Sequence, residues 1–178
     1  MPAGISFFLG GNMKTLYMIG GPMGVGKTTA GQALKRKTPS SVFLDGDWCW
    51  DMHPFCVTEE TRRVVMDNIC CLLDNFIGSP AFDTVIFTWV MHQQGIIDEI
   101  LRRIHTENCR VVPASLVCTA DELRARLQKD VAAGLRQPDV IGRSLSYLSL
   151  YDELDTVKID VTRLTAEETA EGLLALRG

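Results

Sequence analysis

The chain has 178 residues, enough for one domain with a sizeable core, and its apolar (46%) and charged (22%) fractions are those of an ordinary globular protein. A formal net charge of −4 gives no basic surface of the kind that binds nucleic acid. No apolar run approaches the ~20 residues of a membrane span, and the six cysteines show neither C-x-x-C pairs nor metal-ligand spacing; most lie in apolar surroundings and read as small buried hydrophobes in a reducing, cytoplasmic setting.

Residues 1–12 include an apolar stretch, Ile5-Ser6-Phe7-Phe8-Leu9, with no positive segment before it. They are expected to form a disordered or loosely docked extension ahead of a domain spanning 13–178. Leu16-Tyr17-Met18-Ile19 then reads as a short buried strand. Gly21-Pro22-Met23-Gly24-Val25-Gly26-Lys27-Thr28 follows and fits G-x-x-x-x-G-K-[ST], the phosphate-binding P-loop. A polyanion needs several backbone N–H groups turned inward, which a Gly-rich turn allows without Cβ clashes. The helix expected over Thr28–Lys37 adds the positive end of its dipole. Lys27 is expected to bridge phosphates, Thr28 to ligate Mg²⁺, and Thr29 to join the turn from Gly21 in holding ATP.

A second strand is expected at Ser41-Val42-Phe43-Leu44, followed at once by Asp45-Gly46-Asp47. The spacing suits one carboxylate, Asp45, to the Mg²⁺ site and the other, Asp47, to orienting or deprotonating a substrate hydroxyl. Trp48, Trp50, His53 and Phe55 then form an irregular aromatic segment, and a helix runs from about Thr58 to Ile77, with Arg62 and Arg63 near its start. A third strand at Thr84–Thr88 leads into Trp89 and His92. Trp48, His53, Arg62, Trp89 and His92 are candidate walls of an acceptor pocket, although Phe55 suits a core role better. Ile96, Ile97, Ile100, Leu101 and Ile104 mark an amphipathic helix.

The fourth strand is expected at Val111–Cys118, with Pro113 near its start or at a bulge. Thr119 and Glu122 make a capping box for the next helix, whose Arg124 and Arg126 are candidates for the adenine face or the phosphates. Helical pattern fails around Ala132–Gly142, a segment about 132–143 that is expected to be a small lid, with Arg136 and Arg143 neutralising charge on a transferred phosphoryl group. A short helix at Leu145–Leu150, a last strand at Val157–Val161 and a helix opening on the Thr165–Glu168 capping box complete the chain. Five strands alternating with helices imply a three-layer α/β/α fold around a parallel sheet, with the P-loop, Asp45, Asp47 and Trp89 at one edge.

With those motifs in order, the chain resembles the small P-loop kinases of the adenylate kinase-like group, particularly the shikimate and gluconate kinase branch and more loosely the chloramphenicol phosphotransferases. GGPMGVGKTT at Gly20–Thr29, FLDGD at Phe43–Asp47 and the stretch from Leu135 to Glu168 carry the resemblance. It implies a five-stranded sheet in the order 2-3-1-4-5, Mg²⁺ near Asp45, an acceptor or general-base role for Asp47, adenine stacking by Arg124 or Arg126, and a lid arginine at Arg136. It also implies a substrate-facing Arg143. The third strand ends in Thr88-Trp89-Val90-Met91-His92 where shikimate kinases place a glycine triplet, and the acceptor region is rich in Trp and Met. The expected activity is transfer of the γ-phosphoryl group of ATP to an alcohol-bearing metabolite or antibiotic, by a monomer or homodimer. Nucleoside or nucleotide phosphorylation is the alternative within enzymes, and a nucleotide-dependent switch acting on a protein is the alternative outside them.

Overall fold

The computed structural model describes residues 13–177; the expectation for residues 1–12 lies outside them. The elements run β1 (Lys14–Gly20), α1 (Lys27–Lys37), β2 (Ser41–Asp45), a 3-10 turn (Gly46–Trp50), α2 (Glu59–Gly78), β3 (Thr84–Thr88) and α3 (Gln94–Arg103). They continue with β4 (Cys109–Val117), α4 (Ala120–Ala132), α5 (Val140–Tyr147), a second 3-10 turn (Leu148–Glu153), β5 (Val157–Asp160) and α6 (Ala166–Ala175).

All five strands pair in parallel in the order β2-β3-β1-β4-β5. Strands buried on both faces need unbroken apolar runs rather than alternation, and β1 and β3 supply them. Leu16 and Met18 face one layer with Val65, Ile69, Ile97 and Ile100 of α2 and α3. Tyr17 and Ile19 face the other, with Ala33 and Leu34 of α1, Leu123 and Leu127 of α4, and Leu173 of α6. Because β1 lies centrally between β3 and β4, the chain reverses direction of travel across the sheet there. The loop after β1 therefore opens at the crevice where ligands bind in such sheets.

Local chemistry explains the helix starts. Thr58 caps α2, its Oγ1 accepting the Thr61 N–H at 3.1 Å while Thr61 Oγ1 accepts the Thr58 N–H at 2.8 Å. Thr165 and Glu168 form the same reciprocal pair ahead of α6, at 3.2 and 2.8 Å. At α4 only half of the expected box forms. Thr119 Oγ1 accepts the Glu122 N–H at 3.3 Å, but the Glu122 carboxylate turns to Arg126 instead.

Two sequence expectations need correction. Pro113 lies in mid-β4, opposite Met18 of β1. The ladder to β5 starts only at Ala114, so on that side β4 is still an edge strand and a missing N–H breaks no bond. The helix expected at Leu145–Leu150 begins earlier, at Val140, and runs through Gly142. Val140 and Ser144 are buried and Ile141, Leu145 and Leu148 pack on the core below. That burial outweighs the helix-breaking tendency of one glycine. Arg143 consequently stands on a helix rather than in the irregular segment.

Candidate active site

The turn after β1 holds its shape through glycines. Gly24 and Gly26 have φ of 83° and 106°, and a Cβ on Gly24 would fall 2.5 Å from Leu127 Cδ2 of α4. Gly26 is the N-cap of α1 and brings no side chain to it, leaving the first-turn N–H groups for an anion. Lys27 Nζ crosses the turn and donates to the carbonyls of Gly21 and Pro22 at 2.9 and 3.0 Å. Enclosure of this ammonium lowers its pKa from 10.5 to about 8, a fall limited by the nearby carboxylates of Asp47 and Asp45 and furthered by Arg136.

The two aspartates after β2 have distinct settings. Asp45 is buried; its Oδ2 accepts the Thr28 hydroxyl at 2.6 Å and its Oδ1 accepts the Asp47 N–H at 3.1 Å. Asp47 reaches solvent through the cleft. The cleft walls shield its carboxylate from water and, with the charge of Asp45, raise its pKa above 3.8, against the opposing pull of Lys27, Arg136 and Trp89. Gly46 between them is packed under Trp89, since a Cβ there would lie 2.6 Å from the indole.

A cleft of about 410 Å³ lies over the turn, with Lys27, Thr28, Thr29 and Asp47 on one wall and Arg126, Lys129 and Arg136 on the other. Arg126 is fully engaged. Its Nη1 donates to Val25 O at 2.9 Å, Nη2 to Val161 O at 2.9 Å and Nε to Glu122 at 2.7 Å. Arg136 pairs with Asp130 at 3.0 Å. Next to this cleft is a hollow of about 810 Å³ lined by Trp48, Trp50, Phe55, Trp89, His92 and Tyr147 together with Asp51 and Arg143. Met23 and Asp47 line both spaces.

Not every candidate arrives there. Arg124 is exposed and lines neither space; two residues from Arg126 on α4, it points away around the helix. His53 is exposed and also lines neither. Arg62 borders an adjoining hollow of about 720 Å³ between α2 and α3, which shares Trp50, Trp89, His92 and Tyr147 with the larger one but not Asp47. Phe55, expected in the core, is 66% exposed on the rim of the larger hollow. Conversely, Lys129 lines the cleft and Tyr147 the hollow with no motif to mark them. Lys129 carried a usable signal, being three residues from Arg126 on one helix face. Tyr147, which stacks on His92 with ring centroids 4.3 Å apart, sits within a run whose spacing reads as core.

The AAA-domain family model matches residues 18–135, from β1 to just beyond α4. The chain belongs to the AAA-domain family. As an AAA-domain protein it shares its fold with a gluconokinase from Sinorhizobium meliloti 1021, at 18% identity over 92% of this chain and 91% of that one, with a TM-score of 0.64. The tunicamycin resistance protein of Deinococcus radiodurans aligns at 17% identity over 93% of this chain and 96% of that one, TM-score 0.65. Shikimate kinase from Acinetobacter baumannii, in complex with shikimate, aligns at 21% identity over 93% of each chain, TM-score 0.59. At such identities the likeness is one of fold, and it agrees with the resemblance carried by the motifs. No curated protein matches this AAA-domain chain. Among the described residues no helix is long and apolar enough to cross a membrane.

Proposed function

We propose that the chain is an ATP- and Mg²⁺-dependent phosphotransferase that moves the γ-phosphoryl group of ATP to a hydroxyl of a small molecule. The observation that carries this reading is the position of Asp47, which borders the phosphate cleft and the aromatic hollow at once. A donor in one space and an acceptor in the other meet at its carboxylate.

The residues divide the work. Amides of the Gly21–Thr28 turn and the Lys27 ammonium bind the phosphates and fix their register. Thr28 Oγ1 and the Asp45 carboxylate, 2.6 Å apart, fit Mg²⁺, a hard cation that keeps several waters and takes its remaining oxygens from phosphate. Bound there, Mg²⁺ supplies positive charge that offsets the charge of the β- and γ-phosphates. Asp47 accepts the proton of the acceptor hydroxyl. That oxygen bonds to the γ-phosphorus while the bond to the β,γ-bridging oxygen breaks, so ATP and an alcohol give ADP, a phosphate monoester and a proton. Arg136, on the segment between α4 and α5, closes over the transferred group and excludes water. Arg143, on α5, faces the acceptor. The reading places the protein in the cytoplasm with the ATP pool, acting as a monomer or homodimer on a small molecule, with no nucleic-acid partner.

The test is ADP formation from Mg²⁺–ATP across sugars, polyols, aminoglycosides, phenicols and nucleosides. Acceptor-dependent ADP release is expected. Lys27→Ala removes ATP binding, and Asp47→Asn lowers kcat by about 10²–10⁴ while ATP affinity holds. Phosphate release that needs no acceptor and ignores Asp47→Asn would replace this reading with an ATPase or switch.

A further inference from the structure

All three tryptophans of the chain, Trp48, Trp50 and Trp89, line the one hollow beside Asp47. Three of its contributors are unusual for a surface. Trp48, Phe55 and Val57 are 57%, 66% and 46% exposed, and they gather in one concavity instead of being scattered. Exposed apolar side chains collected in a concave site mark a place where an apolar ligand covers them. The rings are held in position before any ligand arrives. Trp48 sits edge-on to Phe43 at 5.6 Å, Trp50 and Phe55 are tilted at 6.1 Å, and His92 lies flat on Tyr147.

The charge lining selects further. Two carboxylates, Asp47 and Asp51, face a single guanidinium, Arg143, which is itself paired with Asp139 at 3.3 Å. Burial lowers the pKa of His92, so its imidazole adds no positive charge at neutral pH. A carboxylated acceptor would enter a lining that is already net negative and would find no bidentate partner unshared. A flat neutral ring carries no charge for that lining to repel and meets the aromatic side chains that dominate it.

We propose that the acceptor is a neutral alcohol carrying an aromatic ring, with the ring among Trp48, Trp50 and Phe55 and the hydroxyl at Asp47. The assignment rests on the phosphotransferase reading for the fate of that hydroxyl, but the ring-binding part stands without it. An aryl alcohol and a nucleoside share this chemistry and are separated by the test.

The experiment follows tryptophan fluorescence, since every indole reports on this hollow, alongside ADP formation from Mg²⁺–ATP. Four probes are titrated: 3-phenylpropane-1,2-diol, adenosine, D-gluconate and shikimate. Saturable quenching by the diol or by adenosine, and none by the two acids, is expected; whichever ring compound also yields ADP identifies the source. Phe55→Ala, an exposed position whose loss spares the core, should weaken binding of that compound about tenfold with ATP affinity unchanged. Trp48→Phe keeps a ring and should hold affinity within about threefold. Saturation by an acid in preference to both ring compounds, or indifference to Phe55→Ala, overturns the proposal. Ring binding without ADP formation sustains the ligand class and sinks phosphoryl transfer. ADP formation with an acid as acceptor does the reverse.

Discussion

Lys27 and Asp47 bring opposite charges into one cleft, and their surroundings move both titrations toward neutral pH. Asp47 accepts a proton only as carboxylate, so activity appears as pH rises through its pKa, which lies above 3.8. Lys27 binds phosphate only as ammonium, so activity is lost as pH rises through about 8. The plot of kcat/KM for ATP against pH, which reports the free enzyme, is therefore expected to be a bell with its alkaline limb near 8. Lys27→Arg retains charge throughout that range and should remove the alkaline limb, whatever it costs in rate. Asp47→Asn should remove the acid limb from the residual activity. At this scale the sequence was readable where a motif fixes geometry. The turn and the Asp-Gly-Asp pair are short, and their side chains have few directions to take. His53 lies in an irregular segment, where no periodicity says which way a side chain points, and Arg62 stands in the first turn of α2, whose pairing with α3 the sequence does not give; neither lines the acceptor hollow.

Among the elements not continuous with the phosphate turn, α4 is fastened to it by a side chain. Arg126 links it to Val25 in that turn and to Val161 just past β5, with Glu122 steadying the third nitrogen. A guanidinium spreads its donors over three nitrogens and so reaches three acceptors on separate segments, whereas an ammonium has its three donors on one nitrogen. Arg126→Lys should therefore lower unfolding free energy by about 1–3 kcal/mol in urea titration and weaken ATP binding in parallel. If Arg126 served only to stack on adenine, the urea midpoint would stay put and affinity alone would fall. Spacing placed this residue on the correct helix but left its partners open, because both carbonyls belong to distant segments. The same limit explains α5. Gly142 and Pro138 read locally as breakers, and only the packing of Val140, Ile141 and Leu145 onto the core beside α4 makes the helix begin at Val140. The ion pairs between α1 and α6, Arg36 with Glu167 and Lys37 with Glu171, are exposed and add little to what the buried faces already supply.

Across the whole molecule, the two-sided burial of the central strands made the fold class legible, since runs such as Leu16–Ile19 and Thr84–Thr88 admit covering on both faces and little else. Strand order was a different matter. Apolar runs do not say which strand lies beside which, and the order 2-3-1-4-5 came with the resemblance of the motifs before the ladders confirmed it. The position of the aromatic hollow also needed the folded chain, because it draws Trp48, Trp89 and Tyr147 from three separate stretches.

The phosphate turn springs from β1, whose residues from Thr15 to Gly20 are all buried and which has a strand on either side. Amides there can exchange with solvent deuterium only when the entire sheet comes apart, whereas β5, at an edge with Val157 48% exposed, can fray alone. Exchange followed by mass spectrometry should thus show β1 opening at the global unfolding free energy and β5 well below it. Thermal fluctuation then loosens the periphery while the cradle for the nucleotide persists, so heat should silence the protein through cooperative melting and not through gradual slackening of its grip on ATP.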